Sequence, residues 1–170
     1  AGVKLMMTAH VGLPALTGRA DLPATLSAAI MDDYLRGRLG FDGLLITDAL
    51  DMKAITQGAG QIVDVIAALR AGVDLLLLTG DPEVQERLYG GLQLAVSRGL
   101  LDRERLVASE NRLQDVLHWL GNRDRPSLDV VGRSEHQQLA EAVARRAVTL
   151  VRDEAGLLPL RLPAEARIMA

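Results

Sequence analysis

The sequence predicts an α/β fold built on parallel strands. Three observations carry that reading. Short apolar runs, residues 44–47 (LLIT), which carry no charge, and 73–78 (VDLLLL), are bounded by turn residues. Longer stretches with apolar residues at helical spacing alternate with them, which implies right-handed crossovers between parallel strands. The chain is 49% hydrophobic but only 2% aromatic, so its core is aliphatic. The 170 residues suffice for a domain with a sizeable core.

Residues 3–8 (VKLMMT) read as a first strand, ending at Ala9-His10. Residues 11–25 hold Gly12, Pro14, Gly18 and Pro23, too dense a set of breakers for a regular element, and read as a loop. A loop this long is more often functional than decorative. Ser27 is placed to cap a helix whose apolar positions are Ile30, Met31, Tyr34, Leu35 and Leu39, with Gly40 as its stop. The turn Gly40-Phe41-Asp42-Gly43 leads into the strand 44–47, which ends on Asp48. The chain then reads as helix in two pieces, broken at Gly58 and Gly60, with 62–70 as the second. The strand 73–78 follows. Helix 83–98 is ended by Gly99, and Asp102 caps a helix to about Leu120. Residues 121–133 are linker-like. Ser134 and Gln137 resemble a capping box before a helix to about Ala147, and 148–151 reads as a strand. The three strands before the linker cannot close a (β/α)8 barrel, which needs eight strands and about 250 residues. They make either a small open sheet or the last part of a barrel whose earlier strands lie elsewhere.

Composition narrows the function. Lys+Arg 19 against Asp+Glu 22 gives a net charge of -3, with no basic footprint for nucleic acid. There are no cysteines, which removes disulfides, thiol catalysis and cysteine-based zinc sites. No apolar run has the length of a membrane span, and no signal peptide is visible before residue 3. The abrupt start suggests an N-terminal part beyond Ala1, with any targeting segment in it.

Among candidate site residues, Asp48 stands first. An acid at the C-terminal end of a buried strand sits where α/β folds place their chemistry. The same residue at the same place serves equally as the N-cap of a following helix. Asp51, three residues on, reads as a carboxylate favouring a helix N-terminus. His10 follows a strand and enters the long loop, either facing a cleft or hydrogen-bonding within the scaffold. His118 and His136 fall on helix surfaces. No histidine pair has metal-ligand spacing, so no metal is expected, and no glycine-rich phosphate loop is present. Met52, in the turn after Asp48, is either packing or part of a pocket wall.

Residues 40–55, GFDGLLITDALDMKAI, resemble the nucleophile segment of glycoside hydrolase family 3, with Thr47-Asp48-Ala49-Leu50-Asp51-Met52 matching its [ST]-D-x-L-x-M motif. Residues 6–16 (MMTAHVGLPAL) and 22–27 (LPATLS) resemble the preceding strand and loop. Residues 68–82 (ALRAGVDLLLLTGDP) resemble the next helix and strand, and 95–117 the closing helices. Residues 142–160 resemble the linker helix and the entry to the family's second domain.

The resemblance implies a partial (β/α)8 TIM-type barrel, its last strands and helices, in residues 1–120. A linker and linker helix at 121–147 and the start of an α/β sandwich domain at 148–170 follow. It implies retaining hydrolysis with Asp48 as nucleophile; beside it, His10 and Met52 are the candidate substrate-binding residues by their positions after the two strands. It implies a carbohydrate as the partner, while composition and spacing give the expectation of no cofactor or metal, no nucleic acid and no membrane span. Family members of the β-glucosidase type carry a Trp directly after the nucleophile. Here Ala49 stands there, as in β-N-acetylhexosaminidases acting on N-acetylglucosamine of peptidoglycan fragments. A β-glucosidase or β-xylosidase type member, or a non-catalytic α/β sugar-binding module, are the alternatives. An Asp-x-His acid/base pair and a Lys-His sugar-binding motif belong upstream of this chain, so the chain alone is expected to be inactive. Bacterial cytoplasmic and secreted or lipoprotein placements both stay open.

Overall fold

The structure, a computed structural model, describes residues 2–163 and 165. The chain divides into two compact units, Ala1–Arg123 and Asp124–Ala170.

The first unit is built on a parallel sheet of three strands in the order β1-β2-β3: β1 (Leu5–Met7), β2 (Leu44–Ala49) and β3 (Leu75–Leu77). β2 lies in the middle, and Leu44, Leu45 and Thr47 are buried. The edge strands differ from the expectation of strands buried on both faces. Leu5 and Met7 of β1 are exposed and the leucines of β3 are half-buried. A strand with a neighbour on one side only leaves that much of its surface uncovered.

Between β1 and β2 the segment read as loop contains α1 (Pro14–Thr17) and a 3-10 turn, Ala24–Leu26. The loop closes on itself: Ala24 N–H donates to the Val11 carbonyl, and Gly12 pairs with Pro23. A Cβ at Gly12 would lie 1.9 Å from the Ala20 oxygen, so only glycine permits this approach. The next helix, Ala29–Arg38, is a π-helix with wider i→i+5 winding. Its apolar spacing predicted a helix but not its pitch. Ser27 does not cap it. Ser27 ends the 3-10 turn and offers its backbone carbonyl to Ile30 and Met31. Gly40, with φ +67°, stops the helix as its spacing predicted.

β2 runs two residues beyond the predicted end, to Ala49. No helix follows it directly. Residues 50–55 form tight turns, a 3-10 turn spans Gly58–Gly60, and α2 (Gln61–Ala71) begins there. α3 (Pro82–Ser97) and α4 (Arg103–Gly121) carry Asp81 and Asp102 as side-chain N-caps, accepting from Glu83 and Glu104 amides. The core is aliphatic: Ile30, Met31, Leu45, Ala68 and Val73 form one cluster, and Leu50, Ile55, Val65 and Leu88 another.

One buried carboxylate ties these elements together. Asp74, just before β3, has a side chain with no exposure. Its Oδ2 accepts from the Leu45 amide and from Arg36 Nη2, and its Oδ1 accepts from Ser109 and from Arg112. The two arginines neutralise it and every acceptor site is used, the condition under which a buried charge is tolerated.

In the second unit, a 3-10 turn (Leu128–Val130) precedes α5 (Ser134–Ala147). The capping box does not form. Gln137 donates to the Gly132 carbonyl, and Ser134 makes no cap bond. Residues 148–151 are not a strand, because no described strand pairs with them, and Val148 and Val151 are 82% and 91% exposed. An extended segment gains little without a ladder to satisfy its backbone. The end of the expected second domain, with Ile168 and Met169, lies outside the described residues.

Asp74→Ala is expected to lower stability by about 3 kcal/mol, since it strands two arginines and a strand amide. Asp74→Asn, which keeps acceptor oxygen, is expected to lose less. The urea midpoints of the two variants check this. In the second unit, the amides of Leu157 and Leu158 bond Asp153 and hold its carboxyl below the usual range. The folded turn therefore favours the ionised form. It is held at neutral pH and lost as the pH falls through that lowered value. Amide shifts of Leu157 and Leu158 are expected to titrate at the low-pH end.

Candidate active site

The chemistry-bearing residues gather at the C-terminal end of β2, where a parallel sheet opens its strand ends to ligands. Register sets their orientation. Ile46 pairs with Leu75, but Ala49 pairs with Leu77, so β2 spends three residues where β3 spends two. The extra residue makes a bulge at Thr47-Asp48, the kind of local kink that re-aims a side chain. Ahead of the bulge, even-numbered residues bond towards β1: Leu44 N–H reaches the Lys4 carbonyl and the Ile46 carbonyl accepts from Thr8. Past it, Leu50 N–H bonds the Leu77 carbonyl on the β3 side, and the Ala49 carbonyl turns to the β1 side. The Leu77 amide donates to the Thr47 hydroxyl at 2.9 Å.

Asp48 is half-buried within the strand. It caps no helix, because the chain after it turns instead of winding. Its Oδ1 accepts from the Ala49 amide at 2.8 Å, and Oδ2 has no hydrogen bond to the described residues. The carboxylate is thus oriented by one backbone donor and keeps one oxygen free. Asp51 likewise sits in no helix. It lies exposed in the turn and accepts from the Thr79 hydroxyl at 2.6 Å, joining this turn to the loop after β3. The helix-dipole reading of Asp51 is therefore replaced by a loop-to-loop tie.

His10 is buried, with Nε2 at 3.1 Å from the Ala49 carbonyl and Nδ1 at 2.9 Å from the Thr25 hydroxyl. Thr25 also meets the Thr8 hydroxyl. Met52 is 44% exposed in the same turn as Asp51. His118 and His136 lie exposed on α4 and α5. The structure thus brings His10 against the residue that follows Asp48, and places Met52 three residues further along.

Sequence reasoning missed the groups that hold the turn. Gln57 Nε2 faces the carbonyls of Leu50, Met52 and Ile55, and the buried Gln61 donates to Leu50 at 2.7 Å. Neither glutamine lies in a motif. The only available signal was the lack of helix-compatible spacing between Asp51 and Gly58. A cavity of about 320 Å³ beside the turn is lined by Asp51, Gln57, Gln61, Leu78, Gly80 and Arg87 among others. Among the described residues no group of three or more His, Asp or Glu is arranged to hold a metal ion. No helix among them is long and apolar enough to cross a membrane.

The site is thus a half-buried carboxylate presented on the bulged end of the central strand of a parallel α/β sheet. Residues 1–116 match the glycosyl hydrolase family 3 N terminal domain. The chain belongs to this family, and its first unit is part of a (β/α)8 barrel. It is 39% identical over 116 residues to a beta-hexosaminidase of Chromobacterium violaceum, covering 68% of this chain and 31% of that protein. It is 29% identical over 183 residues to a beta-N-acetylglucosaminidase/beta-glucosidase of Cellulomonas fimi, covering 99% of this chain and 32% of that one. A family 3 beta-N-acetylglucosaminidase structure from Paenibacillus sp. superimposes with a TM-score of 0.74 at 34% identity, covering 90% of this chain and 30% of that one. The chain thus spans about a third of the length of these relatives.

Thr47→Val keeps the shape of the buried side chain but removes the hydroxyl that accepts from the Leu77 amide at the bulge. A loss of about 1–3 kcal/mol in unfolding free energy is expected, read by denaturant titration.

Proposed function

We propose that this chain supplies the nucleophile of a retaining β-N-acetylhexosaminidase, with Asp48 as the attacking carboxylate. The observation that carries the reading is the state of Asp48: at the bulged end of the central strand, with Oδ1 held by a backbone amide and Oδ2 open. Oδ2 attacks the anomeric carbon, and the glycosidic oxygen leaves with a proton from a general acid. Water, deprotonated by the same group, then displaces Asp48 and regenerates the carboxylate. In a retaining pair the acid/base group stands about 5 Å from the nucleophile. No described partner of Asp48 fills that role. Met52, half-exposed beyond Asp48, is assigned to the wall of the sugar pocket. The hexosaminidase names of the relatives and Ala49 in place of a Trp support the N-acetylglucosamine reading. The Cellulomonas fimi relative is also named for beta-glucosidase activity, which favours a glucoside as second substrate.

The isolated 170-residue chain is expected to hydrolyse an aryl N-acetylglucosaminide no faster than background. The full-length protein is expected to turn it over and to lose that activity in Asp48→Ala. A fluorinated N-acetylglucosaminyl fluoride is expected to label Asp48, located by peptide mass spectrometry. Label on another residue overturns the assignment, and a preference for aryl glucoside overturns the sugar.

A further inference from the structure

We infer that His10 is a positioning residue for Asp48, acting through the Ala49 peptide and not by touching the sugar. The inference rests on the nucleophile reading of Asp48. Both ring nitrogens are occupied by the protein, and the residue is only 9% exposed. The Ala49 carbonyl can only accept, so Nε2 carries the hydrogen. Nδ1 then accepts from the Thr25 hydroxyl at 2.9 Å, and Thr8 donates to Thr25 at 2.9 Å. In that arrangement every hydrogen in this buried chain meets an acceptor. The alternative use of the Thr25 proton, on the Ala9 carbonyl, is longer at 3.3 Å.

The place of this contact gives it a role. β1 ends at Met7, and the last backbone bond from its end to β2 is Thr8 N–H to Ile46. The bulge then turns the Ala49 carbonyl towards a side where no strand remains to receive it. His10 supplies the missing donor. The amide of that same Ala49 holds Asp48 Oδ1. One residue is therefore gripped at its carbonyl by His10 and grips the carboxylate at its amide. Met52 N–H also reaches the Ala49 carbonyl, but it belongs to the turn itself and anchors nothing outside it. His10 alone among these groups links Ala49 to the β1 end of the sheet. Loosening it allows the peptide to rotate and moves the free oxygen off the line of attack. A displacement of about 1 Å at a reacting atom costs roughly 100-fold in rate.

The test uses the full-length protein, reading kcat, KM and the rate of Asp48 labelling by the fluorinated sugar. His10→Gln retains an N–H at the reach of Nε2 but loses Thr25. His10→Asn retains the nearer contact with Thr25 but does not reach Ala49. The expected result is kcat and labelling rate within a few-fold of the unaltered protein for His10→Gln. His10→Asn is expected to lose about 100-fold in both with KM little changed. Thr8→Val, at the far end of the buried chain, controls for stability and is expected to lower the melting temperature with kcat kept. Equal losses in the Gln and Asn variants, or a rise in KM with kcat kept, overturn the positioning role. If the unaltered protein carries no label on Asp48, the nucleophile reading itself fails, and this inference with it.

Discussion

The first unit depends on the carboxylate of Asp74. It sits where β3 begins, fully enclosed, and three elements meet on its two oxygens: β2 through Leu45, the π-helix through Arg36, and α4 through Ser109 and Arg112. A buried ion pair of this kind adds little net stability compared with an apolar core, because desolvation offsets most of the attraction. Its effect is geometric. The Leu45 amide and carbonyl are both bonded by Asp74, through its side chain and its backbone. β3 is thereby held in one register against β2. That register decides whether the far end of β2 can accommodate an extra residue.

At that far end the extra residue appears, and the candidate site is its consequence. A regular β2 would keep its carbonyls alternating between β1 and β3 as far as Ala49. The bulge reverses the alternation, brings the Thr47 hydroxyl to the Leu77 amide, and sends the Ala49 carbonyl to His10. The turn that follows is held by side chains instead of helical bonds. Gln57 and Gln61 satisfy its carbonyls, and Asp51 ties it to Thr79. A carboxylate mounted on such a frame is fixed from several directions, which suits a group whose attacking oxygen must be aligned before it reacts.

The membership in glycosyl hydrolase family 3 fits this frame, since the match runs across all three strands and into α4. The chain spans about a third of its relatives. The exposed faces of β1 and β3 are the edges of the arc that these strands describe.

Much of this was legible in the residues. Alternating apolar runs and helical spacings gave the parallel α/β class, because burial on both faces of a central strand demands an uninterrupted apolar run. Gly40 and Asp102 were legible for local reasons, a positive φ and a side-chain cap, which need no distant partner. Asp48 was legible as the end of the strand, although its cap reading failed because the helix it would cap does not form. The Ser134 capping box and the strand at 148–151 failed for the opposite reason. Each matched a local pattern, yet needed a partner that the folded chain does not provide there. By itself the sequence determined the class of fold, the order of elements and the position of the acid. Only the tertiary structure decided the bulge, the enclosure of Asp74 and the grip of His10 on Ala49. Those depend on pairing between residues 29 to 39 positions apart, whose register no local preference encodes.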